Sequence, residues 1–291
     1  MKLSHNRAVL LMIAVTLMWS IAGVVSRHLE HAQKFEVTFW RSFFTVLSLL
    51  VLLPMFKGRT VFSRMQHGGA ALWLSGLCWS GMMTFFMVAI LLTTVANVLI
   101  SLALTPLLTA IASRVFIGHR IPARTWAAIV VAGGGIAYMY ASQLGQGVSL
   151  AGTLVALCVP ISGAANWTIT QHAHAQGKDV DLIPAVLIGA TLSALLTFPL
   201  AWPFQASGHD LWLLSGLGLV QLAIPCVLVV MCASVLKAPE VALLGLLEVI
   251  FGILLAWAGA GEVPGPDVFV GGSLVIGALI ANELVAWRER A

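Results

Sequence analysis

Ten apolar segments, each about long enough to cross a bilayer, follow one another along almost the whole chain. A helix of about 20 apolar residues spans the hydrocarbon core of a membrane, and lipid offers no partners for free backbone N–H and C=O groups. We therefore predict ten transmembrane helices, with the turn between the third and fourth placed at Thr93-Thr94 because 68–117 is too long for one helix. The predicted spans are Arg7–Ser26, Phe35–Pro54, Gly68–Leu91, Thr94–Ile117, Arg124–Ala141, Ser149–His172, Leu182–Pro203, Leu211–Leu236, Pro239–Ala258 and Asp267–Trp287.

The scarcity of charge agrees with a membrane-embedded chain. Of 291 residues, 60% are apolar and only 9% are charged, against about 25% charged in a soluble domain, and the mean hydropathy is +1.00. The short links leave no room for a soluble enzyme domain or a nucleic-acid-binding module. We predict an all-α polytopic membrane protein whose surroundings are the lipid bilayer and which binds no nucleic acid.

The positive charges are distributed unequally between the two sides of these spans. If both termini lie on one side, that side holds twelve of the 15 basic residues, and Arg27, Lys34 and Arg41 belong to the other. Loops rich in Lys and Arg stay in the cytoplasm. We therefore expect a multi-pass protein of a bacterial-type cytoplasmic (inner) membrane, with both termini cytoplasmic.

A weak internal repeat relates the two halves at an offset of 143 residues, the separation of His119 and Glu262 in two similar turns. Five predicted helices separate equivalent points, so the second copy must enter the membrane upside down. Inverted repeats are typical of transporters, whose substrate site lies near the midplane between the halves. We expect five-helix repeats at 7–141 and 149–287. The matching pairs include Val98 with Val241, Leu104 with Leu247, and Gly134 with Gly277.

The same residues carry a family resemblance over 8–141 and 151–286. The chain resembles paired EamA-type units of the drug/metabolite transporter superfamily, which implies a ten-helix carrier that works by alternating access and often exports amino acids or related metabolites. Two positions depart from the family pattern, namely His119 in place of a usual Glu and Val249 in place of a usual Pro. The resemblance rests on Gly118-His119-Arg120-Ile121-Pro122, Gly261-Glu262-Val263-Pro264, Thr105-Pro106, Glu248, Trp19-Ser20 and Phe39-Trp40-Arg41.

Glu248 lies about nine residues into a predicted 20-residue span and therefore near the midplane. A carboxylate there costs at least about 2.5–3.5 kcal/mol unless it finds water, a partner or a proton. It could couple transport to protons or bind a substrate amine. A protonated Glu that only joins two helices is the structural alternative.

Other polar and aromatic residues inside the predicted spans are candidates for the substrate-binding site. Asn97, Ser101 and Thr105 follow at i, i+4 spacing and form one helix face, although Ser and Thr can equally bond to their own backbone. Deep tryptophans could stack on a substrate or only pack. Amides within a span need partners that lipid does not provide. These further candidates are Trp19, Trp79, Trp167, Asn166 and Gln221.

Arg41 lies about six residues into the second predicted span, on the outer side. Long basic side chains near a span end usually extend toward water, so we expect Arg41 to do so, as a charge at the outer mouth that could attract an anionic group. A phosphate-bearing substrate would need Lys or Arg in the central cavity. Because no Lys or Arg lies near the midplane, such a substrate is disfavoured.

The sequence contains no enzyme constellation and no metal-ligand spacing, so we expect a non-enzymatic protein without metal or cofactor. The predicted function is secondary transport of a small amphipathic metabolite, such as an amino acid or a similar solute. The predicted direction is export. The alternatives are a multidrug or cationic-compound exporter, a non-transporting membrane scaffold, and a lipid-modifying enzyme based on His28, Glu30 and His31. Protein partners are left open.

Overall fold

A computed structural model of the chain describes residues 4–58, 60–66, 68–116, 118, 122–143, 150–175, 182–233, 235–236, 244–245 and 247–288. In this part of the chain the secondary structure is helical, without strands. The helices are α1 (His5–Ser26), α2 (Lys34–Lys57), α3 (Thr60–Gln66), α4 (Gly69–Leu92), α5 (Val95–Leu102), α6 (Thr105–Phe116), α7 (Ala123–Gln143), α8 (Leu150–Ala175), α9 (Leu182–Ala201), α10 (Gly208–Gly216), a π-helical segment π1 (Leu217–Ala223), α11 (Ile224–Ala233), α12 (Leu247–Ala260) and α13 (Pro266–Arg288).

Seven helical stretches of the described residues are long and apolar enough to cross a membrane. Each of the ten predicted spans overlaps a helix, but those at 124–141, 239–258 and 267–287 are not among the seven. Many large apolar side chains are exposed on the outside of the helices, for example Leu10, Val51 and Phe116. Such a surface requires a lipid environment, so this is a multi-pass membrane protein.

The predicted boundary between the third and fourth spans is confirmed, because α4 ends at Leu92 and α5 begins at Val95. The fourth predicted span is two helices, since a turn at residues 103–104 separates α5 from α6. Pro106 follows this turn in the first turn of α6, where its missing N–H costs no hydrogen bond. The short helix α3 between α2 and α4 lies outside every predicted span.

The eighth predicted span contains the second irregularity, the π1 segment between α10 and α11. Pro225 lies two residues after this segment and cannot donate a hydrogen bond to the carbonyl of Gln221, four residues earlier. Its ring also crowds that carbonyl, so the preceding turn widens. Such π-helical turns are rare and frequently occur at functional sites.

Hydrogen bonds join the connections at residues 27–33, 93–94, 202–207 and 261–265 on one face, which we call the distal face. Because α1 ends there and α13 begins there, the start of α1 and the end of α13 lie at the opposite, terminal face. Helices α1, α2, α4 and α5 pack around the interior together with α8, π1 and α12, and α7 packs against α13. The apolar core includes Ile90, Val98 and Leu99, all nearly inaccessible.

Candidate functional site

Arg41 is buried in the protein and does not extend toward water, so the expected position of its side chain at the outer mouth is wrong. It lies about 10 Å along α2 from the distal end and is only 1% exposed. Its Nη1 donates to Oε1 of Gln221 at 3.1 Å and its Nη2 to the carbonyl of Met83 at 2.8 Å. The side chain turns inward because α4 and π1 offer acceptors at its own level.

Gln221 links this arginine to α1. It lies in π1 and is 3% exposed, and its Nε2 donates to the carbonyl of Trp19 at 3.4 Å. The structure therefore brings three predicted site residues together, Arg41, Gln221 and Trp19, on three different helical segments. The Trp19 side chain is half-buried and packs against the cluster that contains Met12 and Cys232.

Glu248 lies on α12, twelve residues before Ala260 and therefore about 18 Å from the distal end of that helix. One turn further on, a Cβ at Gly252 would meet side-chain atoms of Leu99 and Ser20, so this face of α12 packs against α5 and α1. The Glu248 side chain is half-buried. No described residue is hydrogen-bonded to it, so its carboxyl group is available for a proton or a cationic group.

Asn97, Ser101 and Thr105 each make a side-chain hydrogen bond within their own chain segment. The Ser101 hydroxyl donates to the carbonyl of Asn97 at 2.7 Å, and the Thr105 hydroxyl to that of Leu102 at 2.6 Å. The amide of Asn97 donates to Thr93 Oγ1 at 3.2 Å. The turn at 103–104 also separates Thr105 from the other two, so the predicted continuous face is divided between α5 and α6.

The remaining predicted residues lie on α4 and α8. Asn166 is fully buried and accepts a hydrogen bond from Ser75 at 2.6 Å, which ties α8 to α4. Trp79 is half-buried, and its Nε1 is buried without a partner among the described residues. Trp167 is 42% exposed and is not brought into this buried set.

Sequence analysis missed two carboxylates that join distal connections. Glu36 is fully buried and accepts hydrogen bonds from the backbone N–H groups of Gln205 and Ala206 at 2.8–3.0 Å. Asp210, also fully buried, accepts from those of Glu30, His31 and Ala32 at 2.9–3.0 Å. The start of α2 thus binds the connection before α10, and the start of α10 binds the connection before α2.

A sequence signal exists for one of the two carboxylates. Each is the third residue of its helix and belongs to a capping box, with Gln33 paired to Glu36 and Ser207 paired to Asp210. A Ser or Thr three residues before an acid, ahead of an apolar run, indicates such a cap, which fits Asp210, whereas Gln33 before Glu36 lies outside this pattern. The pattern locates the start of α10, but it does not reveal that Asp210 also binds a loop 180 residues away.

The Glu262 turn forms a second set of distal contacts. Glu262 Oε2 lies 3.0 Å from Nε of Arg27, and its Oε1 accepts from the backbone N–H of Val95 at 2.6 Å. Arg27 also donates to the carbonyl of Thr93 at 2.9 Å. The ion pair therefore joins the end of α1, the start of α5 and the α12–α13 turn. The side chains of Arg27 and Glu262 are 30% and 19% exposed, respectively. His119, at the matching position in the first half, lies outside the described residues.

A cavity of about 230 Å³ lies beside this turn, lined by residues that include Thr94, Glu262, Asp267 and Val268. The outer loop residues considered as an enzyme site lie on the same face. The backbones of Glu30 and His31 are engaged by Asp210, and a ring nitrogen of His28 lies 2.9 Å from the carbonyl of Val24.

Comparison with known proteins agrees with this architecture. Residues 6–141 match the family model of the EamA-like transporter family, consistent with membership of the drug/metabolite transporter superfamily. A solved crystal structure aligns with 99% of this chain and 100% of its own chain, with a TM-score of 0.63 and 17% sequence identity, and so shares the fold. No curated protein sequence matches significantly.

Proposed function

We propose that this chain, of which residues 6–141 match the EamA-like transporter family, is a proton-coupled carrier that exports an amino acid or a related small amphipathic solute. It would work by alternating access, with Glu248 as the group that binds a proton or the ammonium group of the substrate. The protein would lie in a bacterial-type cytoplasmic membrane, with both termini in the cytoplasm and the distal face outside. This family consists of membrane transporters, not enzymes.

Glu248 is the observation that carries the proposal. It is an acid in the first turn of the apolar helix α12, about 18 Å from the distal end of that helix, half-buried, and no described residue is hydrogen-bonded to its carboxyl group. An ionisable group in a membrane span is expensive and usually marks an ion or substrate pathway. The packing of Gly252 against α1 and α5 keeps that face of α12 toward the interior of the protein, where a solute would pass.

Alternating access requires that one face can close while the other is open. The distal contacts of Glu36, Asp210 and the Arg27–Glu262 pair support a state closed on the distal side. On the way to the terminal face, α5 packs against α12 and α13, whereas α6 packs against α7 and α8. The two halves of the fourth predicted span thus follow different neighbours, which favours separation of the helices toward the terminal face.

The proposed inverted repeats, 7–141 and 149–287, receive support from their turns. Gly118 and Gly261, which match at the offset of 143 residues, both have positive φ, +77° and +67°. In the second turn the N–H of Gly261 donates to the carbonyl of Trp257 at 3.1 Å, an arrangement that a left-handed glycine provides at a helix end. Equivalent glycines in the same rare conformation are expected if the turns share an origin.

The proposal is tested by flux in proteoliposomes. Proteoliposomes that contain purified wild-type protein or Glu248→Gln are loaded with a panel of labelled amino acids and cationic metabolites. Flux is measured with and without a pH gradient. We expect saturable flux that the gradient accelerates in the wild type, and loss of that acceleration in Glu248→Gln. Glu30→Gln, an exposed acid on the distal face, is the matched control and is expected to keep the acceleration.

Other outcomes identify which part of the proposal fails. Flux that neither the gradient nor Glu248→Gln alters would indicate a facilitator, with Glu248 serving only to join helices. Transport of cationic compounds but not amino acids would favour the multidrug alternative. Absence of flux for every solute would contradict the proposed substrate class.

A further inference from the structure

Arg41 carries a charge that nothing described in its surroundings neutralises. The side chain is 1% exposed, and it donates to the amide oxygen of Gln221 and the backbone carbonyl of Met83, both uncharged. Among the described residues no carboxylate pairs with it. A buried charge without a counter-charge is strongly unfavourable, and more so within a membrane span.

The guanidinium also has unused donors. It presents five N–H groups in a fixed planar fork, and contacts with described residues use one on Nη1 and one on Nη2. Nε is buried, and no residue in the described part of the chain accepts from it. An N–H pair made by Nε and its neighbouring amino group is the geometry that binds a carboxylate through both oxygens.

The two acceptors of this fork lie on α4, one turn from another donor without a described partner, and on the irregular π1 segment. Trp79 lies one helical turn before Met83, and its indole Nε1 is buried without a partner among the described residues. Both residues pack with Leu222 and Cys226 in one cluster. Gln221, the residue that accepts from Nη1, lies in π1, and π-helical turns are frequent at functional sites.

We propose that Arg41 binds the carboxylate group of the transported solute through Nε and the adjacent amino group Nη2, while Gln221 holds Nη1 on the other side of the guanidinium. This assignment rests on the proposed carrier function and deepens it: with Glu248 available for an ammonium group, the carrier would recognise both charges of a zwitterion. Binding would bring an anion to Nε and would leave the hydrogen bond from Nη1 to Gln221 in place.

A carboxylate fits this site better than a phosphate group. A single guanidinium balances one negative charge, and its planar fork matches the two oxygens of a carboxylate. A phosphate group carrying two charges would need a further cation, and in the part of the chain that the structure describes no other basic residue is among the buried residues.

The test is ligand-dependent thermal stability of the purified full chain in detergent. Each probe is a pair, an L-amino acid and its primary amide, which keeps the side chain and the ammonium group but lacks the carboxylate. Acetate and inorganic phosphate are added as further probes. The variants are Arg41→Lys, which keeps the charge without the fork, and Arg41→Gln. Arg7→Gln, an exposed arginine at the start of α1, is the matched control.

We expect at least one amino acid to stabilise the wild type and Arg7→Gln. The affinity of both proteins for the corresponding amide should be at least ten-fold lower. In Arg41→Lys the affinity for the acid should fall at least ten-fold while the affinity for the amide changes little. An arginine that only holds helices together would not discriminate acid from amide, so equal affinities in the wild type would overturn the proposal. So would unchanged affinity for the acid in Arg41→Lys.

The acetate arm separates this site from the proposed substrate class. If no amino acid stabilises the protein but acetate does, and Arg41→Gln removes the effect, the carboxylate site stands and the amino-acid class is rejected. If acetate and amino acids both fail to stabilise the wild type, the site is rejected whatever the flux experiments show. Stronger stabilisation by phosphate than by acetate would also reject it.

Discussion

At the scale of single residues, buried acids in this protein serve mainly as acceptors for backbone N–H groups. Asp210 accepts from Glu30, His31 and Ala32 and from its own cap residue Ser207. Hydrogen bonds to a charged acceptor contribute more than neutral ones. One side chain therefore fixes the conformation of the connection between α1 and α2 and holds it beside α10.

Removal of this acceptor should destabilise the protein. We expect Asp210→Ala to cost about 3 kcal/mol, because buried N–H groups lose a charged partner, and to lower Tm by roughly 5–10 °C. Asp210→Asn, which keeps one acceptor oxygen, should fall between the two. Thermal unfolding followed by tryptophan fluorescence measures the effect. Gln205→Ala, an exposed side chain in the connection before α10, should stay within about 2 °C of wild type, and an equal loss there would contradict the role of Asp210.

The residue scale is also where sequence reasoning was least complete. Arg41 was expected to reach water because position within a span was the only guide, whereas its actual acceptors are a glutamine 180 residues away and a carbonyl on α4. Glu248 could be selected from the sequence, because an acid in an apolar span is unusual on any fold. Partners that meet only after folding leave no such local signal.

At the scale of helices, close packing depends on which glycine of a run faces the neighbouring helix. In the triplet Gly133-Gly134-Gly135 of α7, a Cβ at Gly135 would lie 2.7 Å from the carbonyl oxygen of Gly271 on α13. A Cβ at Gly133 or Gly134 would meet nothing within 4 Å. The sequence predicts close approach from the triplet, but only the fold identifies the residue responsible.

This difference gives a matched test within one triplet. Gly135→Ala should lower stability by about 1–3 kcal/mol, since the added methyl group meets backbone atoms and forces α7 and α13 apart. Gly134→Ala has open space and should be neutral or slightly stabilising, because alanine favours helix. Comparison of Tm for the two variants measures the effect. Equal values would mean that α7 and α13 do not pack through Gly135.

The existence of most helices could be predicted, but their interruptions could not be placed with the same success. Apolar length alone identifies α1, α2 and α4, and Thr93-Thr94 marks the turn after α4. The π1 segment depends on Pro225 and on contact with α2, where the hydroxyl of Thr45 donates to the carbonyl of Gly218 at 3.3 Å. A proline predicts that a helix is disturbed. The contact between Thr45 and Gly218 that accompanies π1 forms only in the folded protein and cannot be predicted from the proline.

At the scale of the whole molecule, two sets of contacts of different strength hold the distal face together. The carboxylate–amide contacts of Glu36 and Asp210 are fully buried, whereas the Arg27–Glu262 pair is partly exposed. Exposed ion pairs contribute little, typically below about 1 kcal/mol. If the distal face opens during transport, it should open at the Arg27–Glu262 pair, beside the cavity of about 230 Å³.

Weakening of this pair should increase access to the cavity. A single cysteine at Val268, which lines the cavity and is 5% exposed, is introduced after replacement of Cys78, Cys158, Cys226 and Cys232. We expect Glu262→Gln to raise the rate of labelling by an impermeant maleimide about five-fold, for a loss of about 1 kcal/mol. Glu30→Gln on the same face is the control. Labelling at the wild-type rate in Glu262→Gln would show that opening occurs elsewhere.

The separation along the chain of the residues that meet in the interior also has a consequence in time. Arg41 finds Gln221, and the amide of Glu30 finds Asp210, only after a further 180 residues have been made. Synthesis proceeds at about 5–20 residues per second. For roughly 10–40 s the first half of the chain is therefore in the membrane while the Arg41 guanidinium and the backbone N–H of Glu30 lack these partners. During that interval the insertion machinery, or water beside it, must provide hydrogen-bond partners for groups that later bond to other residues of the folded protein.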